Sequence, residues 1–190
     1  MSALNNKSGN KANNTVRISA GEWRSRLLKF PDVDGLRPTP DRVRQTAFNW
    51  LGQDLHGLTC LDLFAGTGVM GFEALSRGAK QAVLIEKSRP AYQALMDNQL
   101  QLKATSAKIL NTDALQFLTQ TSQKFDVVFV DPPYQQGWID KVLPLLKSVF
   151  AEDALVYIEA EFAIEDDGDW QVLKHGKAGN VFYHLIKAAI

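Results

Sequence analysis

From Leu58 onward, short apolar runs trade places with stretches of helical spacing. "LTCLDLF", "AVLIE", "AKILN", "FDVVFV" and "ALVYIEAE" are nearly continuous in apolar residues, too short for core helices, and read as strands. Between them, "VMGFEALSRG", "RPAYQALMDNQLQL", "ALQFLTQT" and "WIDKVLPLLKSVF" read as helices, the first closed by Gly78 and the last kinked at Pro144. The runs "WQVLKHG" and "NVFYHLIKA" form a closing pair of strands, separated by the stretch from Gly176 to Gly179. Strands that alternate with helices and lack a polar face belong to a parallel sheet covered on both sides. The expected class is therefore α/β, with a mostly parallel seven-stranded sheet.

The front of the chain has a different rhythm. "VRISAGEWRSRLLKF" alternates in part around Ala20-Gly21-Glu22, which predicts a β-hairpin. In "LRPTPDRVRQTAFNWL", Thr39 can cap a helix, Pro40 suits its first position and Asp41 its first turn. Val43, Ala47, Trp50 and Leu51 fall on one face at helical spacing. Residues 1–15, rich in Asn, Ser and Lys, have too few apolar groups to pack and are expected to be a disordered tail. The chain thus divides into a tail (1–15), a hairpin and helix (16–51) and an α/β domain (52–190).

Composition narrows the partners. The 190 residues carry 21 basic and 21 acidic side chains, so no global field points to nucleic acid or membrane. The charge is unevenly spread: residues 1–44 hold nine Lys or Arg and four Asp or Glu, a net of +5, leaving −5 for the rest. A basic front end on an acidic body implies an anionic partner for the front end. Cys60 is the single cysteine, and with three scattered histidines it gives no metal-ligand spacing. No apolar run is long enough to cross a membrane, and the N-terminus lacks an apolar signal region. A cytoplasmic monomer without a metal is expected.

In open parallel sheets, ligands bind outside the carboxyl ends of the strands. Asp62, Glu86, Asp113 and Asp131 each lie at or just past the end of one of four successive predicted strands, so four acids share one edge. After Asp62 comes "LFAGTGVMG", in which Gly66, Gly68 and Gly71 match G-x-G-x-x-G between a strand and a helix, with Glu86 twenty residues past Gly66. That pattern fits a dinucleotide or S-adenosylmethionine, with the acid on ribose hydroxyls. Two phosphates sit poorly among carboxylates, whereas a sulfonium and an ammonium suit an acidic edge. No His in a strand-end loop offers itself for hydride transfer.

The sequence "VFVDPPYQQ" then stops a core strand on an acid and freezes the backbone twice. An exocyclic amine on a nucleobase is a poor nucleophile because its lone pair is delocalised into the ring. The Asp131 carboxylate and the Pro132 carbonyl can grip its two N–H bonds and turn the lone pair toward a methyl donor. Pro132 and Pro133 carry no N–H and hold the loop in one shape. Tyr134 offers a flat face for the base, worth about 1–3 kcal/mol by stacking.

"DLFAGTG", Glu86 and "DPPY" resemble the S-adenosylmethionine-dependent methyltransferases that act on nucleobase amino groups, with a Rossmann-like fold. "RISAGEWRSRLLKFP", "GLRPTPDRVRQTAFNWL", "EALSRGA" and "ALVYIEAE" narrow the resemblance to the RsmD family, which methylates N2 of one guanine in small-subunit (16S) ribosomal RNA. The similarity runs from about Val16 to the C-terminus, and "RPTPDRVRQTAFNWL" is its specific part. It implies that Asp62, Phe64, Gly66 and Gly68 hold the amino-acid portion of S-adenosylmethionine, Glu86 the ribose and Asp113 the adenine region. It also implies that Arg24, Arg26, Arg37, Arg42 and Arg44 hold RNA phosphates, with ribosomal RNA or a small-subunit particle as partner. One departure stands in the hairpin: the family often has Gly between its two arginines, and here Ser25 separates Arg24 from Arg26. The rivals are an adenine-N6 methyltransferase, for which the chain has little room for a target-recognition region, a protein glutamine methyltransferase, which more often has Asn at the position of Asp131, and a non-catalytic RNA-binding module.

Overall fold

A computed structural model describes residues 14–189. Of the predicted tail, residues 1–13 lie outside the described residues, while Asn14 and Thr15 open the first strand. The strands are β1 (Asn14–Arg17), β2 (Leu27–Phe30), β3 (Thr59–Asp62), β4 (Gln81–Ile85), β5 (Ala107–Leu110), β6 (Phe125–Val130), β7 (Phe150–Ala160), β8 (Trp170–Ala178) and β9 (Val181–Ala188). The helices are α1 (Asp41–Leu51), α2 (Val69–Ser76), α3 (Arg89–Leu102), α4 (Ala114–Gln120) and α5 (Trp138–Leu146). Seven strands form one sheet in the order β5-β4-β3-β6-β7-β9-β8, and β1 pairs with β2 in a separate antiparallel hairpin. The first five strands of the sheet are parallel, and β9 runs antiparallel between β7 and β8. The order reverses at β3, which lies between β4 and β6, so a crevice opens at the carboxyl ends of β3 and β6.

Alternate residues of each strand serve two cores. Cys60, Leu84, Ile109, Val127, Phe129 and Tyr157 face α1, α2, α3 and the hairpin. Leu61, Val83, Ile85, Val128, Val130 and Ile158 face α4 and α5. Burial pushes the Cys60 thiol up to about 12, which leaves it inert as a nucleophile. Val16, Ile18 and Leu28 of the hairpin and Val43, Ala47 and Phe48 of α1 belong to the first of these cores, so residues 16–51 are packed into the same body as the sheet. The buried face of α1 is Val43, Arg44, Ala47 and Phe48, turned from the face expected from Val43, Ala47, Trp50 and Leu51. Trp50 is half-buried at the edge of that face and stacks on Tyr183 of β9, with ring centres 5.4 Å apart.

The hairpin is fastened to α2 and α3 through polar groups. The buried Glu73 carboxylate accepts from the backbone N–H of Ser19 and Ala20 at 2.8 and 3.0 Å, and from the Arg77 guanidinium at 3.0 and 3.1 Å. The Ser76 hydroxyl accepts from Trp23 N–H and donates to the Ala20 carbonyl, while the Ser76 carbonyl accepts from Glu22 N–H. Gly21 passes so close to that carbonyl that a Cβ would stand 1.8 Å from its oxygen. Asn98 of α3 both accepts from and donates to the backbone of Lys29, as a neighbouring strand would. "SAGEW" and "EALSRG" are therefore two halves of one docking contact.

Candidate active site

The glycine loop is built for close approach. Gly66 and Gly68 hold φ angles of +53° and +78°, in the left-handed region that favours glycine, and Gly68 sits at the N-cap of α2. A Cβ on Gly68 would meet Leu95 at 2.4 Å, and one on Gly71 would meet Leu84 at 2.9 Å, so Gly71 sets the packing of α2 on β4. The buried Asp62 carboxylate accepts from Gly71 N–H at 3.0 Å, in the first turn of α2. Burial pushes the Asp62 pKa up to about 7, against that hydrogen bond and with help from the nearby Glu86 charge.

Glu86 follows β4 and binds the loop beside it. One of its oxygens accepts from Gly66 N–H at 2.8 Å and the other from Ser88 N–H at 2.7 Å. Burial raises its pKa, with the hydrogen bonds from Ser88 and Gly66 acting against the shift. Phe64 is half-buried and meets the Trp138 ring edge-on at 5.3 Å. Asp113 is the N-cap of α4: its Oδ1 accepts from Leu115 N–H at 2.9 Å, and its Oδ2 lies 3.5 Å from Lys87 Nζ. The capping role of Asp113 is thus real and shares the side chain with any ligand.

Asp131, Pro132, Pro133 and Tyr134 follow β6 at the crevice. Pro132 is buried, Pro133 exposed, and Tyr134 presents 41% of its surface to solvent. Beyond them, Gln135 holds φ +61° and donates its N–H to Glu161 at 2.7 Å, which ties the loop to the end of β7. Burial and the carboxylates of Glu159 and Asp62 hold the Asp131 pKa well above the ordinary value, against the Thr39 hydroxyl. Glu159 was not singled out from the sequence. It is 4% exposed near the end of β7, where Val130↔Ile158 pairing sets it beside Asp131, and it accepts from the Tyr157 hydroxyl at 3.0 Å. Its pKa is raised by burial, against hydrogen bonds from Tyr157 and Thr39.

The segment before α1 forms a wall of the site. Leu36 approaches Gly66, with its Cδ1 3.0 Å from where a Cβ would stand. Thr39, expected to cap α1, makes no cap bond; Pro40 occupies that position, and the buried Thr39 lies near Asp131 and Glu159. Arg37 lies between these two contacts and is exposed, as are Arg24, Arg26 and Arg42. Arg26 also donates to the Gln101 carbonyl at 3.1 Å. Arg44 departs from the expectation that it meets RNA phosphates. It is 1% exposed, and its guanidinium bonds the carbonyls of Thr39 and Arg17, the Ser19 hydroxyl and Asp41. It ties the hairpin to α1 and has no open surface for a phosphate.

No ion pair among the described residues involves Asp62, Glu86, Asp131 or Glu159. Of these acids Asp62 and Glu159 are buried, and Glu86 and Asp131 half-buried. A separate depression of about 480 Å³ lies at the far end of α2, against Gly21, Asp54, His56 and Arg77, away from all of these groups.

Residues 16–187 match a family model described as "Conserved hypothetical protein 95". The chain is 41% identical over 186 residues to the ribosomal RNA small subunit methyltransferase D of Escherichia coli, covering 94% of this chain and 93% of that one. It is also 41% identical over 182 residues to the enzyme of the same name from Haemophilus influenzae, covering 92% and 94%. A solved putative methyltransferase from Escherichia coli superposes with a TM-score of 0.82 at 42% identity, over 92% of this chain and 98% of that one. A putative methylase from Haemophilus influenzae superposes at 0.77 and 38% identity, over 91% and 98%. With a Rossmann-like methyltransferase fold and its acidic edge in place, the chain belongs to the ribosomal RNA small subunit methyltransferase D (RsmD) family.

Proposed function

We propose that the protein transfers a methyl group from S-adenosylmethionine to the exocyclic N2 amine of a guanine in small-subunit ribosomal RNA. The observation that carries this reading is the row of acids at the strand ends, in which Asp62, Glu86 and Asp131 have no cation partner among the described residues, ending in the rigid Pro132-Pro133 turn. S-adenosylmethionine fits that row, because its sulfonium and ammonium are positive charges suited to an acidic edge, and the left-handed turns at Gly66 and Gly68 shape the loop beside it. When bound, it supplies the methyl group. We assign its amino-acid portion to Asp62, Phe64, Gly66 and Gly68, its ribose to Glu86 and its adenine to Asp113.

Asp131 and the Pro132 carbonyl hold the two N–H bonds of the base amine, and Tyr134 stacks on the ring. The N2 lone pair forms the new N–C bond as the donor's S–C bond breaks, with that electron pair staying on sulfur. N2 then sheds one proton. Asp131, whose pKa is already raised by its surroundings, is a suitable acceptor. The positive surface at Arg24, Arg26, Arg37 and Arg42 is assigned to RNA phosphates. The relatives named for ribosomal RNA methylation support the choice of RNA.

Small-subunit particles and naked ribosomal RNA from a strain lacking the gene, incubated with enzyme and labelled donor and then digested to nucleosides, test the reading. The expected product is N2-methylguanosine at one site. N6-methyladenosine, or no labelled nucleoside from either substrate, refutes it.

A further inference from the structure

We propose that Glu159 selects guanine by accepting the N1–H of the target base while Asp131 and Pro132 hold its N2 amine. The inference rests on the guanine-N2 reading and goes beyond it by naming what rejects the other bases. Glu159 and Asp131 stand side by side at the ends of paired strands, and Glu159 borders the same cleft as Pro132, Pro133 and Tyr134. The Tyr157 hydroxyl donates to the Glu159 carboxylate at 3.0 Å, and Thr39 lies near both acids. A carboxylate has about four acceptor positions and Tyr157 takes one, so others remain for a ligand.

The chemistry of the base edges follows. Guanine presents N1–H and N2–H next to each other, two donors for two neighbouring carboxylates. Adenine presents an amine beside an unprotonated N1, and cytosine an amine beside an unprotonated N3. Either would set a lone pair against Glu159 and leave the acceptor position meant for N1–H without a donor, the situation in which sites reject analogues most strongly. The burial that makes Glu159 costly is what makes it selective.

The test uses the RNA fragment that the enzyme methylates, synthesised with either guanosine or 2-aminopurine riboside at the target nucleotide. 2-Aminopurine keeps the N2 amine but has an acceptor in place of N1–H. The wild-type enzyme should prefer guanosine by about a hundredfold or more in kcat/KM. In Glu159→Gln the amide can donate to the 2-aminopurine N1, and the preference should fall below about tenfold. Tyr157→Phe, which frees Glu159 without changing charge, should narrow it less, and thermal melting of both variants identifies any loss of fold. A wild-type enzyme that uses both substrates equally overturns the inference whatever the variants do, and so does a folded Glu159→Gln enzyme that keeps the wild-type preference. A wild-type enzyme that leaves N2 of guanosine unmethylated overturns the proposed function instead.

Discussion

Asp62→Asn should make the ligand-free protein more stable at alkaline pH while weakening its grip on the methyl donor. The side chain is 4% exposed, and burial pushes its pKa from 3.8 to about 7. The folded state therefore binds this proton more tightly than the unfolded chain. Between about pH 4 and 7 the folded state holds the extra proton, so wild-type stability falls as pH rises through that window. From pH 5 to 8 the loss covers about two pKa units, on the order of 2–3 kcal/mol. Asparagine can still accept from Gly71 N–H, as Asp62 does at 3.0 Å, but it carries no charge to desolvate. Any misfit of the amide is independent of pH and cancels when two pH values are compared. The melting temperature of the variant should therefore rise relative to wild type by roughly 4–12 °C between pH 5 and pH 8. Differential scanning fluorimetry without ligand measures this directly. Saturating S-adenosylmethionine at pH 8 should then raise the melting temperature of wild type more than that of the variant. An equal gap between the two proteins at both pH values would refute the claim that the buried Asp62 charge destabilises the ligand-free fold.

Three further outcomes are expected. Asp131→Asn keeps the size of the side chain but presents a weaker acceptor, so single-turnover methylation at saturating cofactor should slow by about a hundredfold or more with cofactor affinity nearly unchanged; full activity would reduce the DPPY loop to a rigid turn. Charge reversal at Arg24 and Arg26 should weaken RNA binding and flatten its dependence on salt while leaving cofactor affinity alone; unaltered RNA binding would move the phosphate contacts elsewhere. Ser25 holds φ +70° between these arginines, so Ser25→Gly should relieve left-handed strain and raise stability by about 0.5–1 kcal/mol in urea titration; a loss of stability would mean that the serine side chain has a compensating role.

The centre of the sheet was legible because β3, β4, β6 and the second half of β7 are buried on both faces and read as nearly unbroken apolar runs. β6 and α3 fall on the stretches expected for them. The acids at the strand ends were legible for the same reason, since a parallel topology sends every carboxyl end to one edge. Glu159 carried the same signal, an acid near the carboxyl end of "ALVYIEAE", but its place beside Asp131 depends on the pairing of β6 with β7, which the run itself does not reveal. Thr39 carries local marks of a helix cap, yet Pro40 takes that position and no side-chain cap bond forms. Arg42 and Arg44 look alike in composition but point to opposite sides of a helix. A signal did exist: Arg44 is three residues before Ala47 and four before Phe48, so it lies on the apolar stripe, whereas Arg42 does not. The glutamate in "EALSRG" reads as a solvated helix position, and only the docked hairpin turns Glu73 into a buried acceptor.

The docking of the hairpin also sets an order of events during synthesis. The backbone of Ser19 and Ala20 finds its acceptor in Glu73, and Lys29 finds its partner in Asn98, 69 residues later. At roughly 5–20 residues per second, Asn98 is added about 3–14 s after Lys29. During that interval Val16, Ile18 and Leu28 lack the complete core they enter, because α2 arrives only late in it and α3 is still unfinished at its end. The hairpin is thus made well before the helices that hold it. Until they arrive, its backbone donors lack the Glu73 and Asn98 acceptors that fasten it in the folded protein.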